Sequence, residues 1–156
     1  MKAKKPSKPL LFRIVTAGII WKNNQALLLQ RPENEEFYPG IWELPGGTRN
    51  FNESSTDALT REVREETGLD ITSIKPIPTF DYVLEKHNQI VDTTQINFLA
   101  TINDPLQKPR VSLEHKNIKW FTLKEIKALD KITEETRRSI IEVTQQDVDT
   151  YSNQSL

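Results

Sequence analysis

The chain has 156 residues, enough to bury one hydrophobic core and short of what two independent domains need. Charged residues make up 28% of it but nearly cancel to a formal net charge of -1, which argues against a protein that coats nucleic acid and leaves a small anionic substrate open. No cysteine occurs, so neither a disulfide framework nor a thiolate metal site can form, and a reducing compartment such as the cytoplasm fits.

Residues 1–9 carry lysines and prolines and read as a flexible basic arm, 10–147 as a single globular domain, and 148–156 as a polar tail. The arm and the apolar stretch after it superficially resemble a secretory signal. Arg13 interrupts that stretch, however, and Trp21-Lys22-Asn23-Asn24 offers no small-residue cleavage site, so Phe12 to Trp21 reads as a buried strand. Residues 22–25 form a hairpin turn into a second strand, Ala26 to Gln30. A loop with Pro32 and Pro39 leads to a short strand, Ile41 to Leu44, which stops at Pro45-Gly46-Gly47. From Ser54 to Thr67 the pattern is helical, with Ser and Thr at its start and Gly68 as a left-handed stop. Ile77 to Leu84 and Ile90 to Ile102 pair about a turn at 86–89. After a loop over 103–117 come a strand, Ile118 to Phe121, and helices over Leu123 to Leu129 and Ile132 to Gln146. This irregular interleaving predicts a mixed sheet between helices, and no apolar run reaches the length of a membrane span.

The chemistry concentrates between Gly46 and Leu69. Glu62, Glu65 and Glu66 stand at i, i+3 and i+4, so their carboxylates leave one side of the helix and repel one another. Magnesium suits such a place: it is a hard cation that takes oxygen ligands, keeps waters, and is shared between carboxylates and substrate phosphates. The histidines and cysteines typical of zinc are absent from the cluster. Ala58, Leu59 and Val63 give the helix an apolar side whose burial would fix the acidic one. Glu53 and Arg61 can brace the preceding loop, and Pro45-Gly46-Gly47 can bring backbone carbonyls close to a cation. As charge alone, the segment reads equally well as a solvated helix stitched by pairs such as Arg61 to Glu65.

The complete spacing separates these readings. Gly47, Glu53, Arg61, Glu62, Val63, Glu65, Glu66, Gly68 and Leu69 match every specified position of the Nudix box, and the chain resembles the Nudix hydrolase family in its MutT-like form. The likeness continues through Leu27-Leu28-Leu29-Gln30-Arg31, through 39–47, and through Glu114-His115 with Lys119-Trp120-Phe121. Asn52 departs mildly, since many relatives place glycine there; the position is free in the pattern and touches only loop geometry.

The resemblance implies an α/β/α sandwich with a mixed β-sheet. It also implies Mg²⁺-dependent hydrolysis of the pyrophosphate bond of a nucleoside diphosphate derivative, with Mn²⁺ able to substitute. A nucleoside triphosphate is the favoured substrate, going to the monophosphate and pyrophosphate; ADP-ribose, a nucleotide sugar or a dinucleoside polyphosphate is the alternative, and a non-catalytic nucleotide-binding module the reading from another class. By the same likeness Glu62, Glu65, Glu66 and the Gly46 carbonyl hold the metal, while Gly47, Glu53 and Arg61 support the site. Glu62 is the first candidate for general base and Glu114 the second, with an ordinary exposed acid as the other reading of Glu114. Arg31 matches a phosphate-contacting position, with a surface ion pair as the other reading. Trp42 is expected to pack in the fold, and His115 to be solvated. The expected partner is a small nucleotide, with no membrane and no nucleic-acid polymer; a homodimer is compatible with such a chain.

Overall fold

Two pairs of left-handed residues set up the hairpins. Asn23 and Asn24 lie at φ 49° and 60°, and His87 and Asn88 at 49° and 58°, positive values that two-residue turns between twisted strands require. The first turn joins β1 (Leu10–Lys22) to β2 (Gln25–Gln30), the second β5 (Ile71–Lys86) to β6 (Gln89–Ile102). The computed structural model describes residues 7–152, and side chains as far as Val143. Its other elements are β3 (Trp42–Glu43), β4 (Gly46–Thr48), α1 (Ser55–Thr67), β7 (Asn117–Thr122), α2 (Leu123–Ala128) and α3 (Glu134–Ser152).

β1 runs parallel to β6 from Leu10 opposite Ile90 to Trp21 opposite Thr101. Against β2 it pairs only at the hairpin, Trp21 with Ala26 and Lys22 with Gln25. Beyond that the two strands part. β2 is bonded to β7 along its length and takes β3 beside its last residues, Leu29 opposite Glu43. β1 takes β4 on the edge that β2 has left, with Ala17 opposite Gly46 and Thr16 opposite Gly47. The Gly18 N–H donates to the Pro45 carbonyl at 2.9 Å inside this fork, so the glycine loop is held in the mouth of the split sheet.

The alternation of β1 feeds two cores. Ala17 and Ile19 pack with Leu28, Leu99, Phe121, Ile126 and Ile140 under α2 and α3, while Ile20 packs with Leu27, Leu59, Val63, Leu69 and Phe98 under α1. The sheet is mixed and lies between helical layers, an α/β/α arrangement as expected. Helix α1 starts where the Ser54 hydroxyl accepts from the Asp57 N–H and ends at Gly68, φ 72°. Thr122 and Glu125 form a reciprocal cap on α2.

Some boundaries differ from expectation. β5 begins at Ile71 rather than Ile77, although Pro76 and Pro78 lie within it. It is an edge strand, and register shifts between Thr72 and Lys75 and between Ile77 and Phe80 absorb the prolines. α3 begins at Glu134, because Ile132 bridges to Trp42 and Thr133 accepts the Thr136 N–H. It continues to Ser152, past Val148, where a polar tail was expected; polar residues at helical spacing carry no stop signal. Residues 1–6 of the expected arm and 153–156 of the expected tail lie outside the described residues. Among the described residues no helix is long and apolar enough to cross a membrane.

Candidate active site

The fork between β1 and β2 opens into a cleft of about 1360 Å³, lined by the glycine loop, one side of α1, the loop before β3, strand β5 and the loop before β7. Glu62, Glu65, Glu66, Glu114, Arg31, Gly46 and Gly47 all line it, so predicted site residues from four separate segments meet in one place, whereas Glu53 and Arg61 are not part of the lining.

The three helix carboxylates are not equivalent. Glu65 is exposed, Glu62 is half-buried, and Glu66 is only 7% exposed because α1 turns it under the glycine loop. There its Oε2 accepts the Gly46 N–H at 2.8 Å. Burial pushes the Glu66 carboxyl up to about 8, against the Gly46 hydrogen bond, which lowers it; the nearby carboxylates of Glu43, Glu62 and Glu114 add to the rise. Gly46 has φ 152°, and a Cβ there would lie 2.0 Å from the Thr16 carbonyl oxygen, so only glycine admits this approach of β4 to β1. A Cβ on Gly47 would stand 2.5 Å from the Glu62 carboxyl carbon, so the second glycine makes room for that side chain.

Arg61 is bonded to the loop that leads into its helix. Its Nε and Nη2 donate to the two Glu53 oxygens at 2.8 and 3.0 Å, and Nη2 also reaches the Thr48 carbonyl at 3.2 Å. Glu53 accepts in addition the Asn50 N–H, and the Arg61 guanidinium chiefly holds its carboxyl down to about 2. The same contacts raise the Arg61 pKa. Nη1 donates to Glu62 at 2.7 Å and to Glu65 at 3.2 Å, so the i,i+4 pair of the solvated-helix reading exists within the larger brace.

His115 corrects the expectation of a solvated ring. Its side chain is 6% exposed, with Nε2 3.3 Å from Glu43 Oε1 and 3.8 Å from Glu66 Oε1, and Nδ1 3.2 Å from the Ser112 hydroxyl. Its loop folds back over the cleft, a contact across more than forty residues that local composition does not carry. Glu43 was missed, although a charge inside the apolar run Ile41 to Leu44 was a legible signal. Arg31 pairs with Glu43 at 3.3 Å and Glu35 at 3.1 Å while lining the cleft. Trp42 packs edge-on against Phe121, ring centroids 4.8 Å apart, as expected of a core residue. Glu114 lies exposed at the rim, its N–H donating to Ser112 Oγ.

Glu62, Glu65 and Glu66, with Glu43 and Glu114 lining the same cleft, give a set of oxygen donors with surplus negative charge, which fits a hard divalent cation in chemistry and sign. They fit it as an open set: among the described residues no three acidic or histidine side chains close into a coordination sphere, and Arg61 holds Glu62 and Glu65.

The family model of the NUDIX domain matches residues 12–143. Nucleoside triphosphatase NudI of Enterobacter sp. (strain 638) is 34% identical over 130 residues, covering 80% of this chain and 92% of that relative. An 8-oxo-dGTP diphosphatase of Proteus vulgaris is 39% identical over 66 residues, 42% of this chain and 58% of that relative. Among solved structures, a MutT NUDIX hydrolase from Burkholderia pseudomallei aligns with a TM-score of 0.71 at 25% identity, covering 85% of this chain and 98% of that one. A match over nearly the whole domain, in sequence and in fold alike, makes this chain a MutT-like member of the Nudix hydrolase family and a pyrophosphohydrolase.

Proposed function

We propose that the protein hydrolyses a nucleoside triphosphate to the nucleoside monophosphate and pyrophosphate, using Mg²⁺ and accepting Mn²⁺ in its place. The observation that carries this reading is the Glu66 carboxyl, buried among Glu43, Glu62 and Glu114 on the wall of a cleft roomy enough for a nucleotide. The similarity to a protein named as a nucleoside triphosphatase, over 92% of its length, supports the triphosphate over ADP-ribose.

In this reading Glu62, Glu65, Glu66 and the Gly46 carbonyl hold the cation, which when bound screens the phosphate oxygens and acidifies water. Glu53 and Arg61 keep α1 and the glycine loop in register, and Gly47 leaves Glu62 its place over the loop. A water oxygen bonds to phosphorus as the bridging P–O bond breaks and pyrophosphate departs. Glu62 takes the water proton, with Glu114 as the alternative acceptor. Arg31 is drawn from Glu35 and Glu43 toward a substrate phosphate, which offers the same oxygen pattern with more charge. The working unit is the single domain over 10–147, acting on a small nucleotide in the cytoplasm.

A panel of nucleoside triphosphates, ADP-ribose, nucleotide sugars and dinucleoside polyphosphates, assayed with Mg²⁺ and with Mn²⁺ and with products identified, tests the proposal. Pyrophosphate and monophosphate from triphosphates are expected. Turnover confined to ADP-ribose or the dinucleotides would overturn the substrate assignment, and binding without turnover would overturn catalysis.

A further inference from the structure

The arginine that breaks the apolar run at the start of the domain has no role in the chemistry above, yet it lines the same cleft. Arg13 sits on β1 with a buried Nε, and among the described residues it has neither a hydrogen-bond partner for that atom nor an ion pair. The other arginines on which the site draws are engaged: Arg31 with Glu35 and Glu43, Arg61 with Glu53, Glu62 and Glu65. A buried donor left unpaired in a folded protein costs stability and calls for a physical reason.

Its surroundings supply one. Across the sheet Arg13 faces Thr93, and Thr93 faces Tyr82. The Thr93 hydroxyl is a second buried polar atom without a partner in that row. Phe80 and Tyr82, two apart on β5, also line the cleft, with ring centroids 6.1 Å apart. A guanidinium two strands away from a pair of rings, in the same row of the sheet and roughly 10 Å off at the usual strand spacing, is suited to a flat, polar-edged ring that stacks on the aromatics and presents hydrogen-bond acceptors to the arginine.

Distance along β1 says which end of a nucleotide this is. Gly46 stands opposite Ala17, four residues from Arg13, or about 13 Å at the usual strand rise. That is the span of a nucleoside, well beyond the separation of adjacent phosphates. Ala17, Val15 and Arg13 alternate onto one face and all line the cleft.

We propose that Arg13 is a specificity-determining residue that reads the exocyclic edge of the nucleobase, favouring bases with an oxo group there (guanine, uracil, thymine) over those with an amino group (adenine, cytosine). The guanidinium only donates, so an oxo oxygen satisfies it and an amino group leaves two donors facing each other. Guanine, whose O6 and N7 accept side by side, matches the fork best. This inference rests on the nucleoside triphosphate reading of the site.

The test compares kcat/KM for GTP and UTP with that for ATP and CTP in the wild-type protein and in Arg13→Gln, alongside calorimetric binding of GMP and AMP without metal. The expected result is a preference of roughly tenfold or more for the oxo bases, abolished in Arg13→Gln mainly through KM, with GMP binding weakened in parallel and melting temperature little changed. A wild-type protein without that preference, or a variant that keeps it, overturns the proposal. Should Arg13→Gln not fold, Arg13→Lys decides, since it retains the charge and loses the fork: an undiminished preference there overturns the proposal and a reduced one supports it. Arg13-dependent GMP binding without turnover of any triphosphate would sink the triphosphatase reading and leave this one standing, whereas neither turnover nor binding sinks both.

Discussion

Arg61 holds Glu53 through two parallel hydrogen bonds, Nε to Oε1 at 2.8 Å and Nη2 to Oε2 at 3.0 Å, and so ties the body of α1 to the loop that leads into it. Arg61→Ala should therefore lose both stability and rate, with a melting temperature lower by roughly 5 °C and turnover down by about tenfold or more. The Glu53 carboxyl, held down to about 2 in the fold, is stabilising above its ordinary pKa of 4.5, and this contribution disappears as pH falls from there toward 2. The acid limb of a melting-temperature profile should flatten in Arg61→Ala. A purely kinetic defect would count against the brace.

Glu66 has the opposite sign. Its carboxyl, raised to about 8, favours the fold while protonated, so in metal-free protein its contribution is present below about 4.5 and is lost as pH rises through 8. Glu66→Gln preserves the shape and an acceptor for the Gly46 N–H. It should raise the metal-free melting temperature at pH 8 while lowering turnover by two or more orders of magnitude, roughly. Glu65→Gln, at an exposed position, should lower turnover with little effect on stability. Scanning calorimetry and steady-state rates on both variants check the pair; unchanged rates would remove these residues from the site.

The adjacent glycines separate fold from function. Gly46→Ala drives a methyl into backbone at a φ that alanine rarely adopts, and should cost the fold, read as loss of soluble protein or a collapse in melting temperature. Gly47→Ala meets first the end of the Glu62 side chain, which can swing away. Near-normal melting with a rate down by about tenfold or more is expected. Equal effects in the two variants would contradict this division.

Glu62 and Glu114 are the two candidate proton acceptors. At saturating Mg²⁺ and substrate, Glu62→Gln should reduce the maximal rate by about 100-fold or more and Glu114→Gln by far less. A larger defect in Glu114→Gln, with Glu62→Gln rescued by added metal, would move the base to the later loop.

The parts of this molecule that were legible in its sequence are those with local causes. Ser54 and Gly68 mark the ends of α1 because cap chemistry is short-range, and Leu59 and Val63 mark its buried side because helical periodicity is. The glutamate spacing with Gly47, Glu53 and Arg61 pointed to a candidate site, since all lie within one strand-turn-helix unit. What was not legible depends on distant chain meeting. Glu43, Glu66 and His115 touch only after β2 diverges from β1 and the 112–115 loop folds over the opening, so His115 read as solvent-facing. The early start of β5 was hidden for a related reason: its prolines argue against a strand unless it is known to lie at the edge.

The pairing of β1 with β6 joins segments some eighty residues apart in sequence, and everything from the glycine loop through α1 lies within the span it encloses. Closing so long a loop costs entropy before any contact repays it, and chains dominated by such contacts cross their folding barrier slowly. A nascent chain that has emerged only as far as α1 carries the complete glutamate signature but has no β6 against which to seat β1. The signature therefore acquires its geometry late in synthesis, when the second half of the sheet arrives.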